Sequence, residues 1–375
     1  MIKKILLTLL ILLGAYQLWT TLDKTTPLSP PVRIDYVQSF GLNTNKGNLL
    51  GIQPFVLPAH YASEGNFEQL IRAYLDRAKS EDLLIPQKTI VVLPEYFGTW
   101  LVVAQEKSLV YEAKTMDDGL KPMVLNHIFS FAKQFFSAPD STKDAVKHAV
   151  FTLKAPEMAE IYQRVFSKLA KEYQVTIVAG SILLPNPAIE NGQLTPHDGR
   201  LFNVTAVFRS DGSLYEELVK KAFPIGDELS FVCPVNPATN PVFDTPVGRM
   251  GVMVCADSWF SAAYQNLKTK KADFVVIPSY SMGEGAWDRT WAGYSGAPTP
   301  TEAKADIGRI TEGQAWAKYA MAGRAPAEGG VKKGINVFLR GNLWDLGTDG
   351  TTVVLNDSAT VTKKVSGGTL VNLWL

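Results

Sequence analysis

The chain has 375 residues, 46% hydrophobic and 19% charged, with 29 Gly and 22 Pro. This is ample material for one large or two ordinary globular domains, and it excludes a disordered or coiled-coil chain. A net charge of +1 supplies no basic field for a nucleic-acid backbone, and two cysteines, Cys233 and Cys255, are too few for a disulfide framework and stand in no zinc-binding spacing.

The first segment, MIKKILLTLLILLGAYQLWTTLDK, places Lys3 and Lys4 before an apolar run from Ile5 to Leu22. As a helix the run spans about 27 Å, enough for a ~30 Å hydrocarbon layer. No small-x-small cleavage site follows Leu13, and Tyr16 and Trp19 suit an interface, so residues 1–24 are read as a membrane anchor with the body outside the cytoplasm. The alternative is a cleaved signal and a secreted or periplasmic protein. Thr25 to Pro31, TTPLSPP, reads as a linker that isolates this segment from a domain over 32–375.

Within the domain, β-rich runs alternate with helical periodicity. NLLGIQPFVL and TIVVLPEYF read as strands flanking a helix through Phe67, Leu70, Ile71, Tyr74, Leu75 and Ala78, with Asn66 as N-cap. Pro156 marks the first turn of a second helix carrying Met158, Ile161, Tyr162, Val165 and Leu169, followed by the strand VTIVAGSILL. Ser210, Asp211 and Gly212 form a hairpin turn. RMGVMVC and DFVVIPS are strands around a helix over 258–268, and the Gly-rich stretch with Trp287, Trp291 and Tyr294 reads as an aromatic pocket loop. The pattern predicts a layered α/β fold.

Three polar residues stand where apolar runs end, the position at which layered α/β folds gather reactive groups: Glu95 after VVLP, Lys220 after YEELV, and Cys255 after GVMV. Singly, each has an ordinary structural reading as a solvated carboxylate, an edge lysine and a small core residue. Jointly, they are a base, a cation and a nucleophile. The four histidines, His60, His127, His148 and His197, form no HExxH pair, and no metal site is expected.

LPEYFG, DGSLYEELVKKAFP and GVMVCADSWF, in this order, resemble the signatures of the nitrilase (carbon-nitrogen hydrolase) superfamily, and the resemblance runs over residues 45–360. It implies a four-layer αββα sandwich, frequent homodimers, no cofactor, and Glu95, Lys220 and Cys255 as catalytic groups. Lys220 is favoured over Lys221 because it lies nine positions after Asp211, and the second glutamate, eight positions beyond the lysine, is then Glu228. Asn203 matches a pocket-supporting asparagine, Asp257 belongs to the nucleophile signature, and Ala256 is expected to offer its backbone N–H to an oxyanion. Ser261 and Ala262 depart from the Pro-Glu frequent in the family after the aromatic pair. The interval from Glu95 to Lys220 is long, which predicts an insertion near 104–155, with Phe129, Phe131, Phe135 and Phe136 serving as core, substrate lid or membrane-facing surface.

The implied chemistry is cleavage of an amide-type bond in a small molecule. Cys255 would form a thioester with the acyl part, Glu95 would move the proton, and Lys220 would stabilise the oxyanion. The alternative is acyl transfer to an amine, as in the apolipoprotein N-acyltransferases.

Overall fold

A computed structural model describes residues 2–22 and 26–375. One sheet contains β1 (Ile34–Phe40), β2 (Asn48–Gln53), β3 (Thr89–Val92), β4 (Thr176–Pro185), β5 (Leu201–Phe208) and β6 (Val219–Lys220). A second contains β7 (Val242–Thr245), β8 (Gly248–Val252), β9 (Phe274–Ser279), β10 (Lys333–Phe338), β11 (Val353–Asn356) and β12 (Ser358–Val361) in that spatial order. The last strand, β13 (Gly368–Trp374), returns to the first sheet between β1 and β2, parallel to β1 and antiparallel to β2. Strands β2, β3 and β4 are mutually parallel, as are β8, β9 and β10.

Because side chains alternate across a strand, each strand of the first sheet feeds two cores. Leu50, Ile52, Val91 and Ile177 point outward to α2 (Glu64–Ser80) and, later in the chain, the helix over Ala145–Tyr173. Leu49, Ile90, Val92 and Val178 point inward and meet the second sheet. Gly51 permits the close approach, since a Cβ there would lie 2.7 Å from Ile335 and 2.8 Å from Val337 of β10. Helices on the far face of the second sheet complete the αββα layering that the family resemblance implies, with Tyr264 and Leu267 buried there.

Three helix starts differ from the sequence reading. Ser63, not Asn66, caps α2: its hydroxyl accepts the N–H of Asn66 at 3.1 Å, which places Asn66 in the first turn. Pro156 lies inside a helix that begins at Ala145, under an Asp144 cap that accepts the N–H of Lys147. Its missing N–H costs one helical bond, but the buried stripe already runs through Val150 and Ala155, so packing carries the helix past it. The helix expected over 258–268 is a 3-10 turn, Cys255–Trp259, followed by a helix over Ser261–Thr269.

The apolar N-terminal segment forms α1 (Ile2–Thr21), and Lys3–Thr21 is long and apolar enough to cross a membrane. Residues 23–25, where the segment meets the expected linker, lie outside the described residues. The remainder of that linker does not hold α1 apart from the body. Asn66 Nδ2 donates to the Pro27 carbonyl at 3.0 Å, and the buried Lys107 donates to the carbonyls of Trp19 and Leu22 at the end of α1, with its ammonium 4.5 Å from the Trp19 ring centre. Between Ala104 and Ala155 the chain folds as α3 (Ser108–Glu112), α4 (Met116–Asn126), α5 (Ile128–Phe136) and the start of α6 (Ala145–Tyr173).

His60 joins the linker to the body. Its Nδ1 accepts the N–H of Leu57 at 3.0 Å, which fixes the neutral ring with Nε2–H directed at the Pro30 carbonyl, 3.3 Å away. Burial lowers its pKa to about 4 from 6.5, partly opposed by the bond to Pro30. A base with a depressed folded-state pKa contributes stability that is fully present above about pH 6.5 and is lost as pH falls toward 4, because the unfolded chain binds the proton first. Denaturant melts over that window should show stability falling with pH by up to about 3 kcal/mol. His60→Gln should flatten that part of the profile; an unchanged slope would exclude His60 as its source.

Candidate active site

Each reactive residue lies just past the end of a strand, and a local device fixes each one. After β3 the chain turns at Tyr96, whose φ is +61°, and Tyr96 N–H binds Ser181 Oγ at 2.8 Å. Ser181 sits at a bulge in β4 beside Gly180, where any Cβ would lie 2.3 Å from the Pro94 carbonyl. Only glycine lets β4 approach the Glu95 turn so closely. After β8 the chain turns at Cys255, itself left-handed at φ +50°, a conformation a non-glycine residue adopts at a cost of order 1 kcal/mol or more. Asp257 holds this turn: Oδ1 accepts the N–H groups of Ala222 and Phe223 at 3.0 and 2.9 Å, and Oδ2 accepts that of Val254 at 3.3 Å. One carboxylate thus joins the cysteine turn to the lysine-bearing segment.

The lysine in the cluster is Lys221, not the Lys220 favoured by the spacing. Lys221 Nζ donates to Glu95 Oε1 at 2.8 Å and Glu228 Oε2 at 2.6 Å, and its side chain is 1% exposed. Lys220 points to the other face of β6, with its ammonium 4.7 Å from the centre of the Phe202 ring. Strand alternation is the physical reason. Val219 is fully buried on the inner face, so the residue two positions on shares that face and the residue between cannot.

The other nominated residues do converge. Asn203 Nδ2 donates to Glu95 Oε1 at 2.9 Å and Glu228 Oε1 at 3.1 Å, while its backbone carbonyl accepts the N–H of Lys221 at 2.9 Å. Glu228 is buried and also accepts the Ile225 N–H at 3.0 Å. Ala256 follows the sulfur within the buried 3-10 turn. Two residues that the sequence reading did not assign belong to the same site. Tyr96 donates its hydroxyl to Glu228 Oε1, and Tyr280, past the end of β9, accepts the Cys255 thiol at its carbonyl, 3.6 Å from Sγ. Adjacency to Glu95 and position after the DFVVIPS strand were their only signals.

The electrostatics separate the two carboxylates. Burial raises the Glu95 pKa above the usual carboxylate range; Lys221 opposes this and Glu228 adds to it. Burial acts on Glu228 in the same sense, but Lys221, Tyr96 and the Ile225 N–H outweigh it and leave its pKa low. Burial alone would lower the Lys221 pKa, yet Glu228 and Glu95 hold it well above its ordinary value. The Cys255 thiol is pushed well up by burial and by Glu95, with Lys221 opposing. The Cys255 thiol, donating to the Tyr280 carbonyl, thus sits beside Glu95 and the buried Lys221 ammonium. Asp257 is raised by burial to about 7.

A cavity of about 530 Å³ opens over this cluster, of a size suited to a small-molecule ligand. Its walls are mainly apolar and include Trp100, Leu120, Phe151 and Trp316. The Gly-rich segment contributes Arg289, Thr290, Ala292 and Ser295, whereas Trp287 and Trp291 are packed in the second core, so that loop lines the pocket without its tryptophans. Among the described residues no group of His, Cys, Asp and Glu has a metal-binding arrangement. Cys233 is half-buried and both cysteines are free.

An αββα sandwich with a Glu-Lys-Cys cluster at its strand ends defines the nitrilase class of α/β enzymes. The family model for carbon-nitrogen hydrolases matches residues 57–297, more than half of the chain, and the protein belongs to that family. Among curated proteins, none matches it. Among solved structures it is similar to an amidase from Nesterenkonia sp., at 13% identity over 88% of this chain and 90% of that one, with a TM-score of 0.52. A mutant of the Nesterenkonia sp. AN1 amidase showing covalent addition of the acetamide moiety of fluoroacetamide at its active-site cysteine matches at 14% identity, 89% and 93% coverage and TM-score 0.52. Another mutant of that amidase, in complex with butyramide, matches at 14% identity, 89% and 94% coverage and TM-score 0.51. At such identities the likeness concerns the fold.

Asp257→Asn isolates the contact that joins the two segments. An amide keeps one acceptor oxygen, so its NH2 must confront a backbone N–H on one side or the other. The loss should be about 1–3 kcal/mol in chemical denaturation. Unchanged stability would show that the carboxylate does not hold the two turns together.

Proposed function

We propose that this carbon-nitrogen hydrolase cleaves an amide through a thioester on Cys255, with Glu95 as proton carrier and Lys221 as the oxyanion's cation. The observation that carries the reading is the buried ammonium of Lys221 bonded to both carboxylates, with the Cys255 thiol beside Glu95, the one whose pKa is raised. Glu95 takes the thiol proton as sulfur attacks the carbonyl carbon. Lys221 and the Ala256 N–H stabilise the oxyanion, and Glu95 passes the proton to nitrogen as the C–N bond breaks. Glu95 then deprotonates water, which attacks the thioester; the C–S bond breaks, the acid leaves and the thiol regains its proton. Glu228, Asn203 and Tyr96 keep Lys221 and Glu95 in place. α1 serves as the membrane anchor, with the body on the extracytoplasmic side, a reading supported by its length, its apolar exposed faces and the two lysines at its start.

With a competent amide, the peptide containing Cys255 should gain the acyl mass, and Cys255→Ala should gain none. Lys221→Ala should lower kcat by about 10²–10³-fold, whereas Lys220→Ala should stay within about fivefold, its cation–π contact being worth about 1 kcal/mol at most. Circular dichroism checks the Lys221 variant, because it leaves two buried carboxylates unopposed. Equal effects of the two substitutions would refute the assignment of Lys221.

The acid limb offers a separate check. Glu95 must be ionised to accept the proton, so kcat/KM should fall as pH falls through an apparent pKa above the ordinary ~4.3 of glutamate. A limb at or below that value would remove Glu95 from the role of base.

A further inference from the structure

Helix α4 connects two features that the reaction itself does not explain. One face of α4, with Met116, Gly119 and Leu120, lines the cavity over Cys255. Its last residue, Asn126, offers its carbonyl to the Tyr16 hydroxyl of α1 at 3.1 Å. A single helix of 11 residues therefore runs from the catalytic cavity to the side of the apolar N-terminal helix.

The next helix, α5, has no fully buried residue, and the residues it exposes are Phe129, Ser130, Lys133 and Phe136. Phe129 is 69% exposed and Phe136, two turns on, 84% exposed; Leu125, in the last turn of α4, is 54% exposed. Phe131 packs partly against the core, which fixes the orientation of the helix. Large phenyl groups presented together to water carry a substantial hydration cost, and such a patch marks an interaction surface. Here its neighbour specifies which one. The Phe129 ring meets the Tyr16 ring edge-on at 5.8 Å, so the patch is continuous with α1, whose own side chains Leu10, Ile11 and Leu18 are exposed. Tyr16 lies five residues before the end of α1 at Thr21, about 7.5 Å along the axis at a rise of about 1.5 Å per residue. That depth falls within the ~5–10 Å to which interfacial helices sink their apolar face.

We propose that the substrate is a bilayer-resident amphiphile, a long-chain acyl amide: α5 dips into the outer leaflet beside α1, and the acyl chain enters past α4 to lie in the apolar cavity with its carbonyl at Cys255. This rests on the thioester mechanism above and adds the class of acyl group. The cavity's mainly apolar lining fits an aliphatic chain, and Glu95, Lys221 and Glu228 supply polar groups beside Cys255, where the amide must be held, with Lys147, Arg289 and Glu312 as further polar residues in the lining.

The test uses the full chain and a series of primary amides: acetamide and butyramide in solution, octanamide and dodecanamide in phosphatidylcholine–phosphatidylglycerol vesicles. The readouts are released ammonia and acyl mass on Cys255. Each methylene buried in the cavity should raise kcat/KM about fourfold, equivalent to about 0.8 kcal/mol, until the cavity is filled. Leu120→Trp, which fills the cavity, should shift the dodecanamide-to-acetamide ratio at least tenfold toward the short substrate. Phe129→Asp with Phe136→Asp should lower dodecanamide turnover from vesicles at least tenfold and leave acetamide turnover within twofold. Acylation of Cys255 at a rate independent of chain length, or full vesicle turnover in the phenylalanine variant, would overturn the long-chain substrate while leaving the thioester mechanism standing. Acylation of Cys255 by no member of the series would overturn both.

Discussion

The site depends on one buried ammonium shared by two carboxylates. Lys221 is removed from water with Glu95 and Glu228, an arrangement whose desolvation cost can exceed its Coulombic gain unless the remaining polar atoms are satisfied. They are satisfied unequally. Glu228 receives bonds from Lys221, Tyr96, Asn203 and the Ile225 N–H, spread over both oxygens. Glu95 receives Lys221 and Asn203 on the same oxygen, Oε1, with the thiol as its further neighbour. Two carboxylates on one lysine are thereby driven apart, one fixed as an anion and one able to take a proton. Such a separation is the usual mark of assigned acid and base roles. A structural ion pair would gain nothing from leaving one partner under-bonded.

The sandwich is what allows the cluster to form. Glu95 and Lys221 follow strands of the first sheet and Cys255 a strand of the second, so no single sheet contains the site. The face-to-face packing through Gly51 sets how closely the two sheets lie, and Asp257 couples the second sheet's cysteine turn to the segment after β6. Left-handed backbone at Tyr96 and Cys255 aims both reactive turns, and strain of this kind persists only where surrounding bonds over-determine it. The bonds to Ser181 and Asp257 do so here.

Much of this was legible in the sequence, for reasons that also explain the failures. Short, β-rich apolar runs gave the strands, and the residues that end them gave Glu95 and Cys255. The choice of Lys220 rested on distance from the Asp211 turn, which counts residues but carries no information about face. Alternation from the buried Val219 carries it, and selects Lys221. Pro156 looked like a helix start because proline favours that position, and tertiary packing along Val150, Ala155 and Met158 overrode the local signal. Tyr96 and Tyr280 act through a hydroxyl and a carbonyl whose directions are set by folds of the backbone, so composition could not reveal them.

The junction between α1 and the body includes a contact that the proline-rich stretch did not announce. A linker isolates two units only if nothing else joins them, and here Lys107 does. Its ammonium is buried, carries a charge, and finds its partners in the carbonyls of Trp19 and Leu22, the acceptors that a helix end leaves unpaired. The lysine and the helix terminus each supply what the other lacks, and Trp19 adds its ring face. Lys107 itself lies between the 3-10 turn over Thr99–Val103, which borders the cavity, and the start of α3. A helix docked in this way is held at a fixed height and orientation against the catalytic body. On the proposed reading of α1 as an anchor, a free tether would only raise the local concentration of enzyme at a surface, whereas a helix seated on the body in this way would also determine which face of the enzyme meets it.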